Sequence, residues 1–216
     1  QNVVKYLFKN SDISKYFCSK KSNYYILYIP KDFSKYEIKN TYPNLYEHLK
    51  QFKSILKSRR KGNEKDKWLN LDRNREEFIF TSKHIVAPQR SKYNTFGYNE
   101  KPWYAASDVN FIIQKDKQYD LKYILALINS KLYYFWLYNR GKRKGDALEL
   151  INKPISEIPI KKIDLEQQRL FINLVEQIIN KKKINPQNDT TNLETEIDRL
   201  VYKLYDLTEE EIQIVE

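Results

Sequence analysis

The sequence has little of what most catalytic and cofactor-binding motifs require. Its 216 residues include only four glycines, two histidines and one cysteine. None of the glycines belongs to a G-x-G-x-x-G or P-loop pattern, whose backbone amides cradle phosphates. A G-x-S-x-G elbow and an HExxH helix are also missing from the sequence. These absences predict that the chain carries no complete catalytic centre and no nucleotide-driven chemistry.

The scarcity of cysteine and histidine excludes two kinds of structural support. Cys18 has no cysteine partner for a disulfide, and His48 and His84 are too far apart for a zinc-ligand motif. No flanking residue gives Cys18 the features of a nucleophile, so we expect a buried, unreactive thiol. His84 lies in an apolar run, which likewise favours a core histidine.

Methionine is absent and the sequence begins with Gln1, so we expect a piece of a longer protein. No run approaches the roughly 20 apolar residues of a membrane-spanning helix, and the first residues lack the apolar core of a signal peptide. We therefore expect no membrane partner and a cytoplasmic location.

Aromatic residues and positive charge are abundant. The sequence has 18 Tyr, 10 Phe and 3 Trp, and 41% of its residues are hydrophobic, which indicates a folded chain. The net charge is +11, but residues 189–216 hold nine acidic and only two basic residues, which leaves +18 on residues 1–188. Such a field attracts a polyanion, although a lysine-rich composition also follows from an AT-rich genome.

Hydrophobic periodicity predicts an α+β fold in which a region with a mixed sheet precedes a C-terminal helical spacer or docking region. Short strands are predicted at residues 24–29, 78–81, 85–87 and 109–114, and a first helix at 46–60. One helix is predicted from Leu121 towards Asn139, and further helices follow Asp164, residue 192 and Thr208. The predicted division is a sheet-bearing domain, 42–163, and a helical region, 164–216, preceded by residues 1–41, which form either a separate N-terminal segment or a part of the sheet-bearing domain.

Two basic segments contain the residue types that read DNA. Gln89, Arg90, Lys92, Tyr93 and Asn94 follow a strand, and Arg140, Lys142, Arg143 and Lys144 follow a helix. Arg and Lys bind guanine edges, Asn and Gln bind adenine, and further cations neutralise phosphates. Both segments are predicted to be loop tips that contact double-stranded DNA, with a solvated charged surface as the alternative.

An ordered series of short motifs resembles the TaqI-like C-terminal specificity domain of adenine-specific DNA methyltransferases and of restriction enzymes that fuse methylation and cleavage. The motifs cover about residues 42–216. They are Tyr42-Pro43 with the helix to Arg59, residues 83–88, Trp103-Tyr104-Ala105 with Asp108, residues 125–131, Lys144-Gly145, Leu148-Glu149-Leu150, Ile158-Pro159-Ile160, Gln167-Gln168, and residues 197–205 and 207–212.

The resemblance implies a target-recognition domain that faces the DNA major groove. An upstream domain of the same parent chain would flip an adenine and methylate it from S-adenosylmethionine, and a parent that also cleaves DNA would use magnesium. This chain lacks the Asn-Pro-Pro-Tyr motif of that catalytic domain, so we expect no cofactor here. We assign Gln89, Arg90, Lys92 and Asn94 to base edges or the backbone, the cations at 140 and 142–144 to phosphates, and Tyr93 and Tyr104 to packing against DNA.

Two other functions remain open at this point. Asp32, Glu37 and Lys39 resemble a carboxylate plus E-x-K arrangement that could bind a divalent metal for DNA cleavage, although an E-x-K triplet arises easily by chance here. Alternatively, the apolar helices at 164–205 could dock on another subunit, which would make the chain a protein-interaction module.

Overall fold

A computed structural model describes residues 3–29, 33–61, 67–71 and 75–216. The chain divides into two compact units. The smaller unit comprises residues 1–6 and 23–78, and the larger unit comprises residues 7–22 and 79–216. Helices and short strands occur together in the chain, so the predicted α+β class is confirmed.

The described residues form eleven strands and ten α-helices. The strands are β1 (Val4–Phe8), β2 (Ile13–Ser14), β3 (Phe17–Cys18), β4 (Tyr25–Leu27), β5 (His84–Pro88), β6 (Arg90–Ser91), β7 (Gly97–Asn99), β8 (Tyr104–Ala105), β9 (Val109–Ile113), β10 (Lys142–Lys144) and β11 (Ala147–Glu149). The helices are α1 (Lys35–Thr41), α2 (Pro43–Lys50), α3 (Lys53–Ser58), α4 (Glu77–Thr81), α5 (Leu121–Asn129), α6 (Lys131–Arg140), α7 (Asn152–Ser156), α8 (Leu165–Ile184), α9 (Thr191–Leu204) and α10 (Glu209–Val215).

The smaller unit packs short helices around a small aromatic core. The first residues of β1 pair with β4 in antiparallel fashion. The core cluster of the smaller unit consists of the buried residues Ile29, Ile38, Tyr46, Trp68 and Leu69. The predicted helix over 46–60 is divided, because the chain leaves helical geometry at Phe52 (φ −99°, ψ 9°) between α2 and α3.

The larger unit contains an antiparallel sheet with β5 between β7 and β9. All five residues of β5 are buried, as expected for an apolar central strand. The strand predicted at 78–81 is wrong, because these residues belong to α4, where Phe80 packs its ring 5.0 Å from that of Tyr104. A short run of aromatic residues does not distinguish a strand from a buried helical turn.

The helices of the larger unit cover one main core around α5. Seven of the nine α5 residues are buried. Its partner α8 buries Phe171, Val175, Ile178 and Ile179 in the same cluster, as its apolar stripe predicted. Both α8 and α9 share their core with the preceding residues, and the predicted division at residue 164 stays a prediction. Residues 7–22, predicted as part of an N-terminal segment, also belong to this unit.

The helix predicted from Leu121 towards Asn139 is interrupted at Ser130, whose backbone is extended (φ −72°, ψ 163°). Two buried amides satisfy the backbone at this break. The Asn94 amide donates to the carbonyls of Ile128 and Ser130, each at 2.8 Å. Asn129 accepts from the Phe96 N–H at 3.0 Å and donates to the Phe96 carbonyl at 2.8 Å. These contacts fix the point at which α6 leaves α5.

Replacing Asn94 with Ala should lower the free energy of unfolding by about 1–3 kcal/mol, because buried carbonyls would lose their donor. Urea denaturation measures this change. Asn139→Ala is the matched control: its amide also donates to a carbonyl, that of Phe135, but it is exposed. The control should change the stability by less than about 0.5 kcal/mol. Equal losses in the two variants would contradict the role of the buried amide.

His84 is buried in β5, and burial lowers the pKa of its imidazole from 6.5 to about 4. Its Nδ1 lies 2.7 Å from the Ser82 carbonyl, and its Nε2 has no hydrogen-bond partner among the described residues. The lowered pKa means that the folded state disfavours the charged imidazole, so the unfolded chain binds this proton first as the pH falls. His84 should therefore cost stability between pH 6.5 and about 4.

A His84→Gln variant should lose less stability on acidification than the wild-type chain does. The difference should approach ~3 kcal/mol between about pH 7 and about pH 4, measured by urea unfolding at each pH. His48→Gln, at the exposed second histidine, is the control and should keep the wild-type dependence. An unchanged pH dependence in His84→Gln would remove His84 as its source.

Candidate nucleic-acid interface

The two basic segments, predicted as loop tips, each contribute a strand to one three-stranded antiparallel sheet, Arg90–Ser91 from the first and Lys142–Lys144 from the second. Its order is β10-β11-β6, so β11 joins the strand after α6 to the strand after β5. Gly145 and Asp146 connect β10 to β11 as a two-residue hairpin loop, and Gly145 has the positive φ (+60°) that such turns require. Strand pairing therefore brings together cations that are about 50 residues apart in sequence.

Glu149 organises two of these cations. It lies opposite both Lys142 and Arg90 in the strand register. Its carboxylate is 2.9 Å from Lys142 Nζ and 3.1 Å from Arg90 Nε, although only 7% of the residue is exposed. Hydrogen bonds from Lys142 and Arg90 lower the pKa of the Glu149 carboxyl. The ionised carboxylate thus orients both cations at the protein surface.

Aromatic rings of α6 extend the basic region on the other face of β10, because Arg143 alternates with Lys142 and Lys144 along this strand. The Arg143 guanidinium lies 4.0 Å from the centre of the Tyr138 ring. The centre of the Tyr138 ring lies 5.9 Å from that of Tyr134, and the centre of the Tyr134 ring lies 6.0 Å from that of Tyr93. Lys92 Nζ lies 5.4 Å from the Tyr93 ring. Cations held against aromatic faces lose less conformational entropy when they bind a ligand.

The basic surface consists of the sheet cations, Arg140, Lys92 and the three tyrosine rings. Within the described part of the chain, Lys92, Arg140, Arg143 and Lys144 have no carboxylate partner. Glu149 and Asp146 are the acidic residues on its strands and turn, against six cations. The surface therefore carries a net positive charge that is not compensated within the unit. Its members are Arg90, Lys92, Tyr93, Tyr134, Tyr138, Arg140, Lys142, Arg143 and Lys144.

Two of the predicted DNA contacts do not belong to this surface. Asn94 is 1% exposed and its amide is used at the break between α5 and α6. Tyr104 is 4% exposed in β8, where its ring stacks on Phe80. Neither side chain can reach a DNA base in this structure. Burial, which local sequence does not reveal, is the physical reason for both corrections.

Gln89 keeps an exposed side chain beside β6. Its backbone is held on both sides, because its N–H donates to the Asp108 carbonyl at 2.8 Å and its carbonyl accepts from the Leu150 N–H at 2.9 Å. The side chain is thus presented from a fixed backbone.

Sequence reasoning missed three members of this arrangement: Glu149, Tyr134 and Tyr138. The two tyrosines are spaced i,i+4 on α6 and directly precede the basic segment, which was an available signal. Glu149 offered no comparable signal, because its contacts depend on the register of three strands.

The described residues include no group of three or more His, Cys, Asp or Glu side chains able to hold a metal ion. Glu37 accepts from the Ser34 N–H at 2.7 Å in the capping box of α1, and Asp32 lies outside the described residues. No helix in the described ranges is long and apolar enough to span a membrane.

Curated relatives include two enzymes of Haemophilus influenzae. The chain is 28% identical to the type II methyltransferase M.HindII over 175 residues, which is 77% of this chain and 31% of that protein. It is 28% identical to the type II methyltransferase M.HincII over 160 residues, or 70% and 29% of the two lengths. The chain thus spans about a third of these relatives.

A solved structure and a family model also match this chain. The fold is similar to part of the type IIL restriction-modification enzyme MmeI, solved in complex with DNA, with a TM-score of 0.67 and 10% identity over 95% of this chain and 28% of MmeI. The model of the TaqI-like C-terminal specificity domain matches residues 5–160, which include both basic segments. This chain therefore belongs to the family of TaqI-like C-terminal specificity domains.

Proposed function

We propose that this chain is the DNA target-recognition domain of a restriction-modification enzyme and that its basic surface contacts double-stranded DNA. The observation that carries the proposal is the β10-β11-β6 sheet, which brings the two separate basic segments together and places cations on both of its faces, with Arg143 against the Tyr138 ring of α6. The surface lies in a member of the specificity-domain family, which supports DNA as its polyanion.

The geometry favours different roles for its members. Arg90 is oriented by Glu149 and lies next to Gln89, so we assign these two residues to base edges, where Arg reads guanine and Gln reads adenine. Arg140, Lys142, Arg143 and Lys144 are assigned to phosphates, which position the domain without reading sequence. Lys92 and Tyr93 are assigned to the backbone beside them.

We infer that the parent protein also contains an adenine methyltransferase domain. The two curated relatives are methyltransferases, and this chain matches less than a third of each. S-adenosylmethionine would bind in that domain, because this sequence has neither an Asn-Pro-Pro-Tyr motif nor a glycine loop for a cofactor. Recognition here would select the site at which that domain flips and methylates its adenine. A bacterial enzyme acting on chromosomal DNA works in the cytoplasm.

The two rival functions receive less support from these contacts. Glu37 of the nuclease hypothesis is used as a helix cap, which accounts for a carboxylate at that position. The apolar stripe of α8, on which the protein-interaction hypothesis rests, is buried against α5 in the same unit. The Glu37 carboxylate and the buried residues of α8 thus both have a structural role within this chain.

Replacing Arg143 with Ala should weaken binding to all DNA duplexes alike, because a phosphate contact carries no sequence information. The slope of log Kd against log salt concentration should flatten by roughly 0.9, the value for one phosphate that the protein no longer neutralises. Fluorescence anisotropy at several salt concentrations measures both quantities.

Arg169→Ala is the matched control for Arg143, because Arg169 is an exposed arginine on α8 that pairs with Glu166 at 3.2 Å. It should leave the salt slope at the wild-type value. An unchanged slope in Arg143→Ala would remove Arg143 from the interface.

Arg90→Ala should instead change which sequences are bound. Selection of duplexes from a random library identifies the site preferred by the wild-type chain. On that site the variant should lose about 1–3 kcal/mol, with little loss on scrambled DNA, because a bidentate base contact discriminates between bases. Equal losses on both duplexes would reassign Arg90 to a backbone contact.

A further inference from the structure

The smaller unit has a basic segment of its own, at residues 50–61, which spans the end of α2, all of α3 and the residues after it. We call it the α3 segment. Its twelve residues contain six cations and no acidic residue. The cations are Lys50, Lys53, Lys57, Arg59, Arg60 and Lys61.

Three cations on other exposed helices of this protein have acidic partners one turn away, whereas the lysines at 181–183 that end α8 have no carboxylate partner among the described residues. Lys153 of α7 pairs with Glu157 at 3.9 Å. The arginines of α8 and α9, Arg169 and Arg199, pair with glutamates at 3.2 and 3.0 Å. These three ion pairs follow the usual pattern of i,i+3 or i,i+4 charge compensation on a helix.

The α3 segment departs from that pattern. Lys50 pairs with Glu47 at 3.1 Å, and Arg60 donates to the Asn70 carbonyl. The other four cations have no carboxylate partner in the parts of the chain that the structure describes. They are Lys53, Lys57, Arg59 and Lys61. The described residues therefore leave these four cations without a counterion.

The spacing of these cations concentrates the charge. Lys53 and Lys57 are four positions apart in sequence and lie on the same face of α3. Like charges at this spacing destabilise an isolated helix, and α3 has only six residues. The side of α3 next to these lysines is fixed, since Leu56 packs against the core of the smaller unit. The folded unit thus holds an unfavourable cation pair at its surface.

We propose that the α3 segment is a second DNA contact, one that binds backbone phosphates without reading sequence. This inference rests on the proposed function, which supplies DNA as the polyanion. It assigns phosphate binding to Lys53 and Lys57, with Arg59 and Lys61 beside them. Phe52 and Ile55 are exposed beside the cations, but a six-residue helix buries far less apolar surface than the long amphipathic helices that bind membranes. DNA is therefore favoured over an anionic lipid surface.

The double variant Lys53→Gln/Lys57→Gln of the whole chain tests this site. Fluorescence anisotropy with a mixed-sequence duplex, over a range of salt concentrations, should show roughly tenfold weaker binding at low salt. The log–log salt slope should flatten by about 1.8, or ~0.9 for each phosphate that is no longer neutralised. The sequence preference selected from a random library should remain that of the wild type.

The matched control is Lys35→Gln/Lys39→Gln. These lysines are exposed on α1 of the same unit, have the same i,i+4 spacing and remove the same charge, but Glu37 lies between them. The control should retain the wild-type salt slope. Circular dichroism of both double variants checks that the fold is kept.

Each result of this experiment has a distinct meaning. If Arg143→Ala flattens the salt slope and Lys53→Gln/Lys57→Gln does not, the α3 site is refuted while the proposed function stands. Equal flattening in the α1 control would reduce the effect to net charge and overturn the site. Binding to phosphatidylserine vesicles that the double variant loses, with unchanged DNA binding, would assign the segment to membranes instead. A wild-type chain that binds no DNA would refute the proposed function and this inference together.

Discussion

The buried amides of Asn94 and Asn129 are the contacts on which the larger unit depends most directly. They satisfy the backbone where α5 ends at Asn129 and tie it to residues 94–96. Because the interior of a protein offers no water to replace such donors, the helix break is fixed together with the chain that leads from β6 to β7. The direction of α6, and with it the position of its tyrosines, follows from this one arrangement.

The basic surface shows how a sheet can gather charge without instability. Its cations come from the two edge strands, and Glu149 of the central strand neutralises one from each edge. Lys92 and Arg143 lie over aromatic rings, which tolerate a cation at low cost in desolvation. The remaining positive charge faces outward, where a polyanion would release its counterions on binding. Four of the six cations in the α3 segment of the smaller unit have no such compensation among the described residues.

Several local features were predictable because they depend on neighbouring residues. Asp120, the Asp164–Gln167 pair and the Thr208–Glu211 pair cap their helices as the sequence indicates. The apolar run of β5 is buried as its periodicity predicts. The α8 stripe is buried at Phe171, Val175, Ile178 and Ile179, whereas Leu170 is exposed. Positions that require a distant partner were not predictable: the break at Ser130 depends on Asn94, and the strand character of residues 142–144 depends on pairing with β11.

Sequence alone determined the α+β class, the missing catalytic motifs, the positive charge of the first 188 residues and, through its ordered motifs, the family. These properties are carried by composition, by local periodicity and by residue order along the chain. Tertiary structure decided which basic and aromatic residues share a surface, and it removed Asn94 and Tyr104 from that surface by burying them. Long-range strand register and core packing set both outcomes, because each joins residues about 35 to 60 positions apart in the chain.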